Sequence, residues 1–374
     1  MTPSSAALWA TGAALGLPAL EGDVSADVCV VGLGGSGLTC VREAVRLGAR
    51  VVGVDAGEIG GGAAGRNGGF LLAGLAPFYH DAVSRFGRHR ARSMYKATLE
   101  ELERIATEMP AMVNRTGSLR IGESPDEEAD CARQLAAMRA DHLPAEHYEG
   151  LEGRGILVCG DGTFQPHERC RALADAALRE GAVLFERSRV TDIVPGVVRT
   201  GHGAVTARHV VVAVDGALDT LLPELATEVR TARLQMLATA PTHEVHVPRP
   251  VYARWGYDYW QQRPDGTIAL GGARDVGGEA EWTYDTTPTD TVQDALEQRL
   301  RERLDVRAPI THRWAASVSY TVDELPIVRE VRGGVWAIGG YSGTGNVIGS
   351  LLGRGLARHC VSGDDRLVRP FLRA

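Results

Sequence analysis

Short apolar runs alternate with amphipathic stretches along most of the chain. Residues 26–31, A-D-V-C-V-V, form a nearly continuous apolar run, the pattern of a strand buried on both faces of a parallel sheet. Beyond it Leu38, Val41, Val45 and Leu47 recur at helical spacing, and Gly48 supplies a stop. Residues 50–55, R-V-V-G-V-D, predict a second strand that ends in an acid. Far along the chain, G-V-W-A-I at 334–338 predicts another strand and residues 346–358 a helix. Between these ends, Met94, Leu99, Leu102 and Ile105 place a helix over 93–109, and residues 124–139 read as a second amphipathic helix. Residues 257–272 instead alternate, around P-D-G at 264–266, which predicts a hairpin in an antiparallel sheet. Asp323, Glu324 and Pro326 mark a turn.

Composition adds mainly exclusions. The 374 residues carry a net charge of −7, which favours neither a nucleic acid nor an anionic membrane surface as partner. None of the six cysteines forms a C-x-x-C pair, and no histidines cluster at zinc-ligand spacing, so no metal is expected. Cys29 and Cys40 lie in apolar stretches, where a free thiol acts as a small core residue, and a reducing, cytoplasmic location is expected. The first twenty residues carry no charged side chain and therefore lack the basic start of a signal peptide. Pro3, Gly12, Gly16 and Pro18 interrupt them, which argues against a membrane span. This segment is expected to be an arm that packs on the first domain through Trp9. Among forty Lys plus Arg, the only lysine is Lys96, for which codon bias is the simplest explanation.

The chemistry begins where the first strand ends. G-L-G-G-S-G at 32–37 fits the dinucleotide-binding pattern G-x-G-x-x-G. Gly32 permits a tight turn, Gly34 lets backbone approach a pyrophosphate, and Gly37 lets helix and strand pack closely. Gly35 and Ser36 complete the loop, and the helix N-terminus offers unpaired N–H groups to phosphate. Asp55, about twenty residues on, is placed to accept from ribose hydroxyls, with Ala56 beside it. A second glycine-rich loop, G-G-Y-S-G-T-G at 339–345, again joins a predicted strand to a predicted helix. It supplies Gly340, Tyr341, Gly343, Thr344, Gly345 and Asn346 as candidate contacts. A helix N-terminus there suits a flavin ring, because reduction leaves negative charge near N1 and the C2 carbonyl. Between the two loops, A-G-R-N-G-G at 64–69 (Gly65, Arg66, Asn67, Gly68, Gly69) sits in a glycine-rich stretch suited to close wrapping of backbone.

An N-terminal dinucleotide loop, an acid and then A-G-R-N-G-G resembles the FAD oxidoreductases related to D-amino-acid oxidase, glycine oxidase and sarcosine oxidase. The γ-glutamylputrescine oxidase-like branch, with a similar terminal G-G-Y-S-G-x-G, is the nearest-looking. Further stretches agree in order: G-T-F-Q-P at 162–166 before a helix, G-A-V-L-F-E at 181–186, H-V-V-V-A at 209–213 with Gly216, Q-M-L-A-T at 235–239, and Trp314 with Y-T-V-D-E-L-P at 320–326. The resemblance implies an α/β plus α+β fold, with a Rossmann-like FAD-binding domain and a discontinuous substrate domain built on an antiparallel sheet. It allots residues 1–75, 150–232 and 315–374 to FAD and residues 76–149 and 233–314 to substrate. It implies that the Val190 backbone meets the adenine. Sarcosine oxidases bind flavin covalently through a Cys just before the Y-T segment; S-V-S-Y at 317–320 has none, so FAD is expected to be non-covalent.

The implied reaction is oxidation of the C–N bond of a small amine or amino acid, by hydride transfer to flavin N5 and hydrolysis of the imine, with oxygen or another electron acceptor. Tyr257, Tyr259 and Trp260 are candidates for one pocket wall and Tyr320 and Tyr341 for the other, since aromatic walls suit an amine. Arg254 and Arg274 are candidate carboxylate clamps. Arg66 is placed to meet either FAD phosphate or the pocket. No acid or base is nominated. Related sarcosine oxidases use a Lys near N5 to promote reaction with oxygen, and residues 257–274 contain none, which points to a dehydrogenase. Oxidation of a hydroxy acid or other C–H donor, or a non-catalytic FAD-binding subunit, stay open as alternatives.

Overall fold

The computed structural model describes residues 3–12 and 14–373. Met1, Thr2 and Ala13 of the N-terminal arm, and Ala374, lie outside the described residues. Two eight-stranded sheets organise the chain. In the first, Val24–Val31 lies between Ala204–Val212 and Val51–Val54, parallel to both, and Val51–Val54 pairs with Val183–Phe185. Val335–Gly339 joins parallel to Ala204–Val212, and hairpin strands close the flanks. The run at 26–31 is apolar throughout because both faces of its strand are covered. Val28 and Val30 pack with the helices Gly35–Arg46 and Gly345–Ser362, while Cys29 and Val31 enter the core on the opposite face with Leu218, Leu222 and Leu225.

The second sheet runs in the order Ile310–Thr321, Val229–Thr239, Ile268–Gly272, Asp258–Gln262, Val251–Ala253, Ser118–Gly122, Gly153–Val158, Glu146–Gly150. Its neighbours are antiparallel except for Val251–Ala253 beside Ser118–Gly122. The alternating pattern at 257–272 is the hairpin Asp258–Gln262/Ile268–Gly272. One face of this sheet is apolar: Leu119, Ile121, Val251, Trp260, Leu270 and Leu237 bury against Val292 and Leu296 of the helix Asp290–Gln298. Residues one position away along each strand point to the opposite face, where Met236, Ala238 and Ala269 pack with Trp9 and Arg120, Tyr252 and Tyr259 line a cavity. The helices expected at 93–109 and 124–139 run as Arg88–Glu108 and Pro125–Ala140. Ser124 caps the second through a bond from Glu127 N at 3.2 Å, and Pro125 occupies its first turn.

Two features differ from the sequence reading. Gly153–Val158, placed with the dinucleotide segments there, pairs with Ser118–Gly122 in the second sheet, and the long strands Val229–Thr239 and Ile310–Thr321 run through the expected boundaries near 232 and 314. The arm does pack through Trp9 as expected: its indole N–H donates to Asn67 O at 2.6 Å and its carbonyl accepts from Gln165 Nε2 at 2.9 Å, both in segments allotted to the first domain, while its ring lies on the second sheet. Trp9 is buried with Met236, Ala238, Ala269 and Trp314, and Ser4 bridges to His312. Only further along does Leu20 enter the core of the first sheet. An apolar segment without charges docks wherever complementary apolar surface lies, and sequence does not reveal that address. No helix among the described residues is long and apolar enough to cross a membrane.

Candidate active site

Val24–Val31 hands over to the helix Gly35–Arg46 through a turn that only glycine suits. Gly32 has φ +93°, and a methyl on Gly37 would stand 1.9 Å from the Gly32 carbonyl oxygen. Gly34 provides no side-chain cap, so the first-turn N–H groups stay free toward the cavity. Asp55, just past Val51–Val54, braces the turn by accepting from Leu33 N at 2.7 Å and Gly57 N at 2.9 Å. Burial pushes its carboxyl above the ordinary value, against those two N–H groups. Behind the loop stands Arg169, 4% exposed. Its Nη2 donates to Ser350 Oγ at 2.5 Å and its Nε has no partner. Among the described residues no carboxylate pairs with it. An uncompensated buried cation against a helix N-terminus suits the two negative charges of a pyrophosphate.

The terminal loop is built in a similar way. Asp215, a non-glycine residue at φ +33°, accepts from Gly340 N at 2.8 Å and Ser319 N at 3.2 Å. Burial raises it to about 6. Thr344 makes no side-chain cap for Gly345–Ser362 and donates instead to Tyr341 O at 2.8 Å. The helix therefore opens its N–H groups toward the same cavity.

Residues 63–69 join the two loops. Asn67 and Asn346 exchange amide hydrogen bonds at 3.2 and 3.1 Å, and Gly69 N donates to Asn67 Oδ1 at 2.9 Å. Three successive carbonyls then receive side-chain donors. Arg66 O takes the Trp314 indole N–H at 2.7 Å, Asn67 O takes that of Trp9 at 2.6 Å, and Gly68 O takes Gln261 Nε2. Arg66 Nε itself donates to Ala315 O at 2.9 Å. An irregular loop in the interior must pair its backbone groups individually, and this one does so with residues drawn from across the chain.

A cavity of about 660 Å³ runs through all of this, within the usual range for small-molecule sites. Gly32, Gly34, Gly35, Ser36, Asp55, Ala56, Arg66, Asn67, Gly68 and Val190 line it. So do Tyr341, Gly343, Thr344, Gly345 and Asn346, with Tyr257, Tyr259, Arg274 and Tyr320. Gly37, Gly65, Gly69 and Gly340 do not; they sit against backbone or core in close approaches that a side chain would block. Arg254 is also outside the wall, ion-paired to Asp258 at 3.1 Å and to Asp275. Trp260 faces the opposite, apolar side of the sheet, since period-two alternation turns it away from its neighbour Tyr259. Arg274 stacks on Tyr257, Trp282 and Tyr320, 4.7 to 5.5 Å from their centroids. Tyr252 and Tyr259 stack at 5.9 Å, and Phe70 meets each at 6.0 Å. Sequence reasoning passed over Arg169, Asp215, Tyr252 and Arg120. The one available signal was a charged residue embedded in an apolar strand, as in S-L-R-I-G at 118–122.

Two free helix N-termini, a strand-end carboxylate and a buried unpaired arginine around one elongated cavity fit a flavin dinucleotide. Comparison with known proteins agrees. The family described as FAD dependent oxidoreductase (DAO) matches residues 27–359. The probable oxidoreductase OrdL of Rhizobium meliloti (strain 1021) is 28% identical, over 90% of this chain and 83% of that protein. The gamma-glutamylputrescine oxidoreductase of Escherichia coli (strain K12) is 27% identical, over 90% and 84%. The crystal structure of glycine oxidase from Geobacillus kaustophilus superposes with a TM-score of 0.76 at 20% identity, covering 90% of this chain and 94% of that one. The chain belongs to the DAO family of FAD-dependent oxidoreductases.

Proposed function

We propose that the protein oxidises the C–N bond of a small amine or amino acid to an imine, which water then hydrolyses, with FAD bound non-covalently. The observation that carries this reading is the single cavity joining both glycine loops to an aromatic chamber on the second sheet. A relative named for γ-glutamylputrescine and a structural neighbour named for glycine support the substrate class. We assign the first sheet and its helices to the cofactor and the second sheet to the substrate.

In this reading FAD supplies the hydride acceptor, at N5. The N–H groups of residues 34–36, with Arg169 behind them, hold the pyrophosphate. Asp55 and Ala56 take the ribose, and the Val190 backbone meets the adenine. Residues 66–68 and 341–346 would hold the flavin ring, and the helix N-terminus at Gly345 would favour negative charge there. Tyr259, Tyr320 and Tyr252 orient the amine and exclude water. No side chain is assigned as general base. Residues 317–320, S-V-S-Y, offer no thiol for a covalent link. No lysine lines the cavity, and Lys96 is exposed on Arg88–Glu108, away from it. On that ground we infer that the electrons pass to an acceptor other than oxygen. Six free thiols suit a reducing cytoplasm.

The test is anaerobic mixing of the yellow holoprotein with amines, amino acids and hydroxy acids while following flavin absorbance. Bleaching by an amine or amino acid supports the proposal. Bleaching by hydroxy acids alone would replace it with the alternative chemistry.

A further inference from the structure

Arg120 belongs to no interaction described so far. It lies in the middle of Ser118–Gly122 and is only 9% exposed, yet among the described residues its guanidinium makes no ion pair and no hydrogen bond. The guanidinium carbon lies 5.3 Å from the centre of the Phe78 ring. The buried carboxyl of Asp161 is near enough to feel the charge of Arg120, but it forms no ion pair with it and gives its hydrogen-bonding capacity to Ser118 Oγ at 2.6 Å and Ala73 N at 3.0 Å. A largely buried guanidinium with no anion in hydrogen-bond contact is costly unless an anion reaches it, and none of its nitrogens is sealed off without a partner. Arg120 also lines the large cavity.

Sheet register gives the cation its geometry. Arg120 stands opposite Tyr252, and Tyr252 opposite Tyr259, so the three form a row across adjacent strands on the cavity face. The Tyr259 ring reaches the Gly68 wall, where a methyl on Gly68 would stand 3.3 Å from it. Two strand spacings, about 10 Å in all, separate the Arg120 and Tyr259 positions. Phe70 and Leu72 line the space beside this row.

Resting on the reaction proposed above, we propose that Arg120 is an anion-binding subsite that holds the carboxylate of an amine substrate whose amine and carboxylate lie at opposite ends of a short chain. An α-amino acid carries both groups on one carbon and does not span the row from Tyr259 to Arg120. The stacked tyrosines and Phe70 contact the methylene chain, and the guanidinium pairs with the terminal carboxylate through two parallel N–H donors.

The test uses the FAD-loaded protein and straight-chain carboxylates from acetate to hexanoate, each beside its neutral carboxamide. Binding is read from perturbation of the flavin spectrum and from the rise in Tm. The longer carboxylates are expected to bind at least tenfold tighter than their amides. Arg120→Met and Arg120→Gln should each abolish that preference, leave amide binding unchanged, and keep or raise the ligand-free Tm; Arg120→Lys should restore part of it. Equal binding of carboxylate and amide by the wild type overturns the proposal. So does a preference that survives in either neutral variant. Failure of both neutral variants to fold with FAD present also overturns it, since Arg120 would then be a structural residue. None of these probes carries an oxidisable C–N bond. An amine panel that leaves the flavin oxidised would therefore sink the reaction and leave the subsite result standing.

Discussion

Asn67→Ala removes the amide that ties residues 63–69 to the terminal loop. In the wild type that side chain donates to Ala63 O at 3.1 Å and Ala64 O at 2.9 Å, exchanges bonds with Asn346, and accepts from Gly69 N at 2.9 Å. Asn346 keeps its bond to Phe70 O at 2.8 Å and Ala63 O keeps its backbone donor Asn67 N, so the groups left short of partners are Gly69 N–H, Ala64 O and one side of the Asn346 amide. Each made bond is worth about 1 kcal/mol net, and each buried group left unpaired costs about 1–3 kcal/mol. Both asparagines are half-buried, which selects the low end of that range and a total of about 2–3 kcal/mol. If that cost falls on the arrangement that receives FAD, the Kd for FAD rises about 30- to 100-fold, at about 1.4 kcal/mol per decade. Asn67→Asp keeps the shape and the acceptor for Gly69 N–H, but it turns a donor into a charge facing two carbonyls and should lose at least as much. The assay is fluorescence titration of apoprotein with FAD, with thermal unfolding as the check on folding. FAD affinities within threefold of wild type in both variants, with unchanged Tm, would refute the reasoning.

Trp9→Phe keeps most of the buried area but leaves Asn67 O without its indole donor; Tm should fall and the Kd for FAD should rise several-fold, and no change in either would mean the arm does not brace the loop. Burial raises Asp161 and Asp215 to about 6 from 3.8, so the folded state binds more protons than the unfolded state between these values. Their contribution to stability is therefore complete below about pH 4 and lost as pH rises through about 6. Asp161→Asn should flatten the fall in Tm over that window, and an identical slope in the variant would count against burial as the cause. The reduced protein should react slowly with dissolved oxygen and faster with an artificial acceptor; stopped-flow reoxidation in air-saturated buffer that outpaces the artificial acceptor rejects this.

Local physics carried much of the sequence reading. The strand, glycine turn, helix and acid at 26–55 are legible because steric limits on φ, the phosphate-binding helix end and two-faced burial each leave a local mark. The same holds for the hairpin at 257–272, whose period of two and P-D-G turn are written consecutively, and for the second glycine loop. The family resemblance added the cofactor and the order of segments. What the sequence left open depends on residues far apart in the chain. Arg66-Asn67-Gly68 could be seen to matter, but its partners, Trp9, Gln261, Trp314 and Asn346, are set by how the two sheets face each other. Arg254 and Arg274 look alike in sequence; the fold pairs one with Asp258 and Asp275 and stacks the other on aromatic rings at the cavity. Trp260 and Tyr259 are neighbours, and the choice of which meets the cavity rests on strand register, because a shift of one residue exchanges the two faces. Arg120 is one charged letter in an apolar strand until tertiary structure shows that no carboxylate among the described residues forms an ion pair with it and that a row of aromatic side chains leads to it. Short-range sterics and burial periodicity determine elements and turns; the pairing of charges and the lining of a cavity are decided by distances that exist only after the chain has folded.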